Sequence, residues 1–212
     1  MKYYYCSMNT IHRLAEVKIH IGKVNNRGSE HLIDGKAFGA ELQFICYNSD
    51  LFSSMAASQH VPYGVAIVAV LAEATRSEKE ANSAFTILTN VAKRIPWQGN
   101  AVRVPNFNLA ALVPETNYYV TYEGSFTQPA CLETVTWLIL NRPILIQASQ
   151  LDTLRQLQKE QADTRMKMSN GNSRPVSPLY NRAVRTNINF PTTGGLCNMK
   201  RIFYYEVNDV VR

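Results

Sequence analysis

The residues whose types and spacing could do chemistry in this chain are Lys18, His20 and Gln43. Lys18 and His20 belong to an alternating run at 17–22, and Gln43 belongs to a second run at 41–48. Side chains two residues apart on a strand share a face, so Lys18 and His20 point the same way and a paired strand could bring Gln43 beside them. Three neutral imidazoles so placed would hold a zinc ion with one open coordination position. Lysine offers a cation and glutamine a weak neutral ligand, so the set predicts that no zinc is bound.

Six short motifs follow one another in a recognisable order. They are 28–31 (Gly-Ser-Glu-His), 34–35 (Asp-Gly), 63–70 (Tyr-Gly-Val-Ala-Ile-Val-Ala-Val), 122–129 (Tyr-Glu-Gly-Ser-Phe-Thr-Gln-Pro), 133–137 (Glu-Thr-Val-Thr-Trp) and 174–182 (Arg-Pro-Val-Ser-Pro-Leu-Tyr-Asn-Arg). Each motif is weak alone, but in this order the chain resembles the α-carbonic anhydrases over most of its length. The segment 185–190 (Arg-Thr-Asn-Ile-Asn-Phe) narrows the resemblance to the secreted, acatalytic carbonic anhydrase-related proteins X and XI.

This resemblance implies that Lys18, His20 and Gln43 stand at the positions of the family's three zinc-binding histidines. Proteins X and XI also lose the first and third of these. Carbonic anhydrase chemistry needs a zinc-bound water whose pKa falls to about 7. A lysine at the first position repels the metal unless its amine deprotonates from an ordinary pKa of about 10.4. We therefore expect no cofactor and no catalysis; the alternative is a zinc-dependent carbonic anhydrase with residual hydration of carbon dioxide.

Other parts of the family's active-site frame have matching residues here. Glu30 and Thr127 match the pair that orients the zinc-bound hydroxide in the enzymes, although a buried hydrogen bond of this kind also stabilises a scaffold without metal, which is the favoured interpretation. A further group matches the hydrophobic wall of the substrate pocket, with ordinary core packing again favoured. Its members are Ile45, Val65, Phe126 and Trp137.

The loop after Thr127 departs from the family, which usually has two prolines there, joined by a cis bond. Here the pair is Pro129-Ala130. A cis bond before alanine costs about 3–4 kcal/mol, so either the scaffold holds that geometry or the loop changes shape. Either outcome weakens the case for a working enzyme.

Two cysteines bear on possible partners. In secreted family members the cysteine matching Cys131 bonds to one in an N-terminal segment that has no counterpart here. Cys197 matches a cysteine of proteins X and XI and lies in a glycine-containing stretch, 194–198. An exposed cysteine without an internal partner in a secreted protein points to an intermolecular disulfide, so we expect Cys197 to form one, with Cys131 as the less accessible competitor. A simple free thiol is an equal alternative.

The resemblance also implies a secreted protein that binds neuronal cell-surface proteins of the neurexin type. The net charge of +6 comes from scattered basic residues, which argues against a nucleic-acid site. The sequence contains no run of about 18 apolar residues, so no membrane span is predicted. Residues 1–6 are too polar for a signal peptide.

Because the resemblance begins near His12, the expected division is an unmatched leader, 1–11, and a partial carbonic anhydrase-like domain, 12–212. A fragment, a truncated non-functional isoform and a wrongly assembled gene product all stay open.

The hydrophobic pattern predicts a mostly β (α+β) protein, and the resemblance implies that one large, twisted mixed sheet carries small peripheral helices. Alternating runs predict strands at 17–21, 42–47, 64–71, 118–122, 135–140 and 144–146. Apolar residues at helical spacing predict a helix over 77–91 and a second helix capped by Ser149.

Overall fold

The computed structural model describes residues 10–158 and 170–188, and within them the chain forms one seven-stranded sheet. The predicted fold class, mostly β with few small helices, is confirmed. The strands are β1 (His12–Ile21), β2 (Ala40–Asn48), β3 (Val65–Thr75), β4 (Tyr119–Gly124), β5 (Val135–Leu140), β6 (Ile144–Gln147) and β7 (Arg185–Thr186).

The sheet is mixed, with the order β1-β2-β3-β5-β4-β7, and β6 extends the pairing of β3. The pairs β1–β2 and β2–β3 are antiparallel, whereas β5 and β6 lie parallel to β3. All six strands predicted from alternation are present, with ends that differ by up to several residues. Turn chemistry and pairing partners, rather than periodicity, fix those ends, which is why they are the less predictable part.

Strand β3 lies in the interior of the sheet, between β2 and β5, and both of its faces are apolar. Ile67 and Leu71 belong to a core that contains Trp137 on one side of the sheet. Val70 belongs to a second core on the other side, which includes Phe85. A strand that feeds two cores reads as a continuous apolar run rather than an alternating one, as 65–72 does.

The helices are α1 (Met55–Ser58), α2 (Ser83–Ala92) and α3 (Ala148–Arg155), with 3₁₀ turns at Glu78–Glu80 and Leu109–Leu112. The predicted helix start at 77 is wrong. Asn82 has extended backbone and its side chain accepts from the Phe85 N–H at 2.9 Å, so it caps α2. The predicted cap Ser149 is also wrong, because a reciprocal pair formed by Gln147 and Gln150 closes the first turn of α3.

The loop before β2 is held against the sheet by a close backbone approach at Gly28. Its N–H donates to the Phe38 carbonyl at 2.7 Å, and a Cβ at this position would lie 1.9 Å from the Gly39 carbonyl oxygen. Only glycine fits so close a contact. The loop therefore delivers Glu30 to the face of β2 that carries Gln43.

Candidate functional site

Strand register brings the three predicted positions together. Lys18 lies directly opposite Gln43 across the β1–β2 pair, and His20 lies opposite Glu41. These are alternate positions, so all four side chains share one face of the sheet. The face continues across β3 into the core that contains Trp137.

Glu41 is a fully buried carboxylate that organises this face. Its Oε2 accepts from the backbone N–H groups of Glu30 and His31, both at 2.9 Å. Its Oε1 lies 2.8 Å from His31 Nδ1 and accepts from Gln43 Nε2 at 3.0 Å. Sequence reasoning missed Glu41, although a charged residue two positions before Gln43 in an apolar strand was a usable signal.

Gln43 has two carboxylate partners. Its Nε2 donates to Glu30 Oε2 at 2.7 Å as well as to Glu41, while its Oε1 lies 3.5 Å from the Thr127 hydroxyl. The side chain is 1% exposed. An amide with two N–H donors can satisfy two buried acceptors at once, which is the role the geometry gives it.

His20 is bound on one side of its ring only. Nδ1 lies 3.1 Å from Glu30 Oε1 and 3.3 Å from the Asn172 carbonyl oxygen. Nε2 is buried and has no hydrogen-bond partner among the described residues. The Asn172 amide also bonds the backbone of β1 at Ile21 and Ile19, so residue 172 fixes both the strand and the ring.

Lys18 is paired away from the imidazole. Its ammonium lies 3.0 Å from Glu16 Oε1 and donates a hydrogen bond to Gln128 Oε1. The cation thus links β1 to the loop that carries Thr127, a contact between residues far apart in sequence.

Two imidazole–carboxylate pairs set the charges of the site. Burial alone would lower the pKa of His20, but the Glu30 carboxylate raises it, and burial alone would raise the pKa of Glu30, but His20 lowers it. The second pair is His31 and Glu41, and burial alone would lower the pKa of His31 and raise that of Glu41. Their mutual attraction outweighs burial, so Glu41 raises the pKa of His31, and His31 holds the pKa of Glu41 at about 2. Each pair is therefore favoured as imidazolium and carboxylate.

His31 extends the network to β4. Its Nε2 lies 2.7 Å from the Tyr122 hydroxyl oxygen, and burial followed by the charge of Glu41 raises the pKa of Tyr122. The ring also packs edge-on against Trp137, 4.7 Å between centroids. His31 is thus a hydrogen-bonded structural residue.

Glu30 and Thr127 lie on one polar cluster. The carboxylate accepts from His20, from Gln43 and from the Arg174 backbone N–H at 2.8 Å, and a hydrogen bond from Thr127 further lowers its pKa. The hydroxyl of Thr127 also reaches Gln43. Glu30 and Thr127, which match the pair that orients the zinc-bound hydroxide in the enzymes, are therefore hydrogen-bonded to other groups of the protein.

The Thr127 loop changes shape where the second proline is replaced. No cis peptide bond occurs in the described residues, and Ala130 and Cys131 adopt left-handed conformations with φ of 76° and 44°. Two consecutive non-glycine residues in this region cost about 1–3 kcal/mol each. The loop closes through hydrogen bonds from Cys131 to Gln128 and from Phe126 to Leu132.

The predicted pocket wall packs as one apolar group. Ile45, Val65 and Trp137 are at most 1% exposed in a single core cluster, and Phe126 packs against it. The Trp137 indole N–H donates to the Ser125 carbonyl at 3.1 Å. Every polar atom of that large ring is therefore satisfied inside the core.

The two cysteines are placed differently. Cys131 is a half-buried free thiol, whereas Cys197 lies outside the described residues. Cys131 follows directly on the strained turn at Ala130.

The donor set at positions 18, 20 and 43 is one ammonium, one imidazole and one amide, and it does not fit a catalytic zinc ion. Across residues 10–158 and 170–188, no group of three or more histidine, cysteine, aspartate or glutamate side chains could hold a metal. No helix in the same ranges is long and apolar enough to cross a membrane.

Known proteins resemble this chain over most of its length. A sequence profile of the eukaryotic-type carbonic anhydrases matches residues 3–188. Carbonic anhydrase-like protein 1 of Caenorhabditis elegans is 35% identical over 177 residues, covering 84% of this chain and 48% of that protein. Carbonic anhydrase-like protein 2 of the same organism is 36% identical over 181 residues, covering 84% and 53%. The chain spans about half the length of these curated relatives, and the predicted boundary at residue 12 stays a prediction. The chain belongs to the eukaryotic-type carbonic anhydrase family.

Proposed function

We propose that this protein is a catalytically inactive carbonic anhydrase-related protein. The observation that carries the proposal is the bonding of Gln43, which stands at the third ligand position and donates to both Glu30 and Glu41. A ligand histidine offers a lone pair to zinc, whereas the Gln43 nitrogen offers only N–H donors and faces two carboxylates.

The charge at the first ligand position supports the same conclusion. Lys18 supplies an ammonium held by Glu16 and Gln128. A neutral amine would be needed to bind zinc, and neutralising it costs free energy because its ordinary pKa is about 10.4. The two substitutions act in the same direction.

Loss of catalysis leaves a binding role for the scaffold. We propose a secreted protein that binds a neuronal cell-surface protein of the neurexin type, with Cys197 as the covalent link. The resemblance of 185–190 to proteins X and XI and the position of Cys197 support this partner.

A second candidate is residual zinc-dependent carbonic anhydrase activity. One observation favours it: His20 Nε2 is buried and unpartnered within the described ranges, as a nitrogen reserved for a metal would be. One imidazole gives weak affinity, so this candidate requires ligands that Lys18 and Gln43 do not readily supply.

Metal analysis and stopped-flow carbon dioxide hydration of the purified chain test the proposal. We expect no stoichiometric zinc and no hydration above buffer. One tightly bound zinc per chain together with hydration would overturn it and establish the second candidate.

A reversion series adds a positive control. Lys18→His combined with Gln43→His restores three imidazoles, and zinc affinity is expected to rise. Lys23→His combined with Gln98→His makes the same changes at exposed positions and is expected to add no stoichiometric site. Zinc bound equally by both double variants would mean that the site geometry is irrelevant to binding.

A further inference from the structure

Within the described residues, the sheet ends in strand β1 on one side and in the two-residue strand β7 on the other. The outer strand of a sheet presents a row of backbone N–H and C=O groups with which a strand of another chain can pair, so proteins close such edges. Two asparagines, Asn172 and Asn187, bond to the backbone at these two sides of the sheet.

Asn172 bonds to strand β1 through its side-chain amide. Its Oδ1 accepts from the Ile21 N–H at 2.8 Å, and its Nδ2 donates to the Ile19 carbonyl at 2.9 Å. Its backbone N–H also donates to the Ile21 carbonyl at 3.0 Å. Alternate residues of an outer strand direct both backbone groups away from the paired strand, so these three groups belong to the outer edge of β1. One residue thus satisfies all three.

Asn187 repeats this arrangement on the other side of the sheet. Its Oδ1 accepts from the Tyr119 N–H at 3.0 Å, and its Nδ2 donates to the Asn117 carbonyl at 2.6 Å. Strand β7 pairs with β4 and ends at Thr186, whose hydroxyl donates to the Tyr119 carbonyl at 2.7 Å. The Asn187 amide therefore continues the pairing of β4 beyond the point where β7 ends.

The two amides bond the same pair of backbone groups. Each accepts from the N–H of one residue and donates to the carbonyl two positions earlier in the chain. A single residue of a parallel neighbouring strand bonds this same pair. The asparagine amide carries the donor and the acceptor of a peptide group, so it replaces a strand residue at the edge. Unlike a strand, it offers no further row of backbone groups to the next chain.

We propose that Asn172 and Asn187 are edge caps, which prevent the sheet from pairing strand to strand with a second copy of this chain. Both asparagines are exposed, so the bonds of their side chains to the backbone, rather than burial in a core, define what they do. The inference goes beyond the proposed function, because it concerns self-association rather than catalysis or the binding of a different protein. It depends on neither the metal-ligand positions nor Cys197.

Sedimentation velocity of the full chain over a range of concentrations tests the proposal. Asn172→Ala and Asn187→Ala each remove one cap. Self-association is expected to strengthen at least about tenfold in each variant, because a second copy no longer has to displace two side-chain hydrogen bonds to reach the edge. No strengthening in either variant, while circular dichroism shows that both are folded, would overturn the proposal.

Asn82→Ala is the matched control, because it removes the same two kinds of bond away from the sheet edges. The Asn82 side chain accepts from the Phe85 N–H at 2.9 Å and donates to the Ala111 carbonyl at 2.7 Å, at the start of helix α2. This variant is expected to self-associate no more than the unmodified chain. Equal association in the control and in the two cap variants would mean that lost stability, rather than an opened edge, is the cause.

Hydrogen exchange locates the contact between copies. In Asn172→Ala the Ile21 N–H loses its acceptor, so it is expected to exchange at least about tenfold faster in dilute solution and to regain protection as copies pair at higher concentration. Exchange at Ile21 that does not change with concentration would place the association elsewhere and overturn the proposal for β1. Asn172→Asp keeps the acceptor for Ile21 and loses only the donor to Ile19, so it replaces the alanine variant if that one fails to fold. It is expected to associate more than the unmodified chain, and association at the unmodified level would count against the cap.

Discussion

Gln43 joins two buried carboxylates, with its Nε2 2.7 Å from Glu30 Oε2 and 3.0 Å from Glu41 Oε1. The two carboxylates belong to different elements, a loop and strand β2, so the amide fixes the loop to the sheet. A residue that the resemblance matches to a metal ligand therefore makes a structural interaction between the loop and the sheet.

This geometry predicts that Gln43→Leu is strongly destabilising although the volume hardly changes. Two buried carboxylates lose a donor, and leaving buried charged groups short of partners costs about 3–5 kcal/mol. Urea unfolding at neutral pH measures the change in free energy of unfolding. Gln98→Leu, at an exposed position, is the matched control and is expected to change stability by less than about 0.5 kcal/mol. A loss at Gln43 no larger than the control's would contradict the bridging role.

The imidazole–carboxylate pairs predict a stability maximum in mildly acidic solution. The folded-state pKa values of His20 and His31 are raised from 6.5, so their contribution is present below about pH 6.5 and is lost as pH rises through the folded values. The folded-state pKa values of Glu30 and Glu41 are lowered from 4.5, so the stability that these two carboxylates contribute is present above about pH 4.5 and is lost as pH falls. For Glu41 the loss extends down to its folded-state pKa of about 2. All four contributions coincide between about pH 4.5 and 6.5.

Urea unfolding across a pH series checks this maximum, with His31→Gln as the comparison. Subtracting the two profiles removes the opposite contribution of His12, whose pKa is lowered by burial. The difference profile is expected to fall above pH 6.5 and below pH 4.5. A difference that is flat with pH would mean that the His31–Glu41 pair is not ionised in the folded protein.

Trp137→Ala distinguishes a packed core from an open pocket wall. Trp137 is 1% exposed among apolar neighbours, so truncation is expected to cost about 3–5 kcal/mol. Tyr63→Ala removes a comparable ring from a 63% exposed position and is expected to cost under about 1 kcal/mol. Thermal or urea unfolding decides between them. Similar losses at the two positions would favour a solvent-filled pocket around Trp137.

The strands of the sheet could be predicted because each one has an alternating or continuous apolar pattern that can be read without knowing which strand it pairs with. Lys18 and His20 were expected on one face, and register places them there opposite Gln43 and Glu41. The start of α2 was missed because Asn82, not helical periodicity, sets it. The sequence indicates the periodic part of a helix strongly, but it indicates the residue that caps the helix only weakly.

Partners of the site were less predictable, because they come from distant positions. Asn172 and Arg174 reach the face of β1 and β2 from more than 140 residues away, and no spacing rule links them to His20 or Glu30. Glu41 lay in the alternating run at 41–48, just before the predicted strand, but its apolar neighbours hid its importance. Charge patterns inside a single element were readable, whereas hydrogen bonds that close the tertiary structure were not.

The final prediction concerns Cys197, which the resemblance to proteins X and XI makes the candidate covalent link to a partner. Co-expression with a neurexin-like receptor in a secretory compartment, followed by non-reducing electrophoresis, is expected to give a reducible complex that Cys197→Ser abolishes. In the sequence, Gly194 and Gly195 precede this cysteine and the basic residues Lys200 and Arg201 follow it, and neighbouring cations in general favour a thiolate.

Cys131→Ser is the matched control for this linkage. Cys131 is half-buried beside the turn at Ala130, where approach of a second protein is hindered, so its removal is expected to leave the complex intact. A complex that survives Cys197→Ser and disappears with Cys131→Ser would reverse the assignment. A chain that forms no covalent complex in either background would remove the disulfide from the proposed function while leaving the metal-site prediction, which depends on Lys18 and Gln43, unaffected.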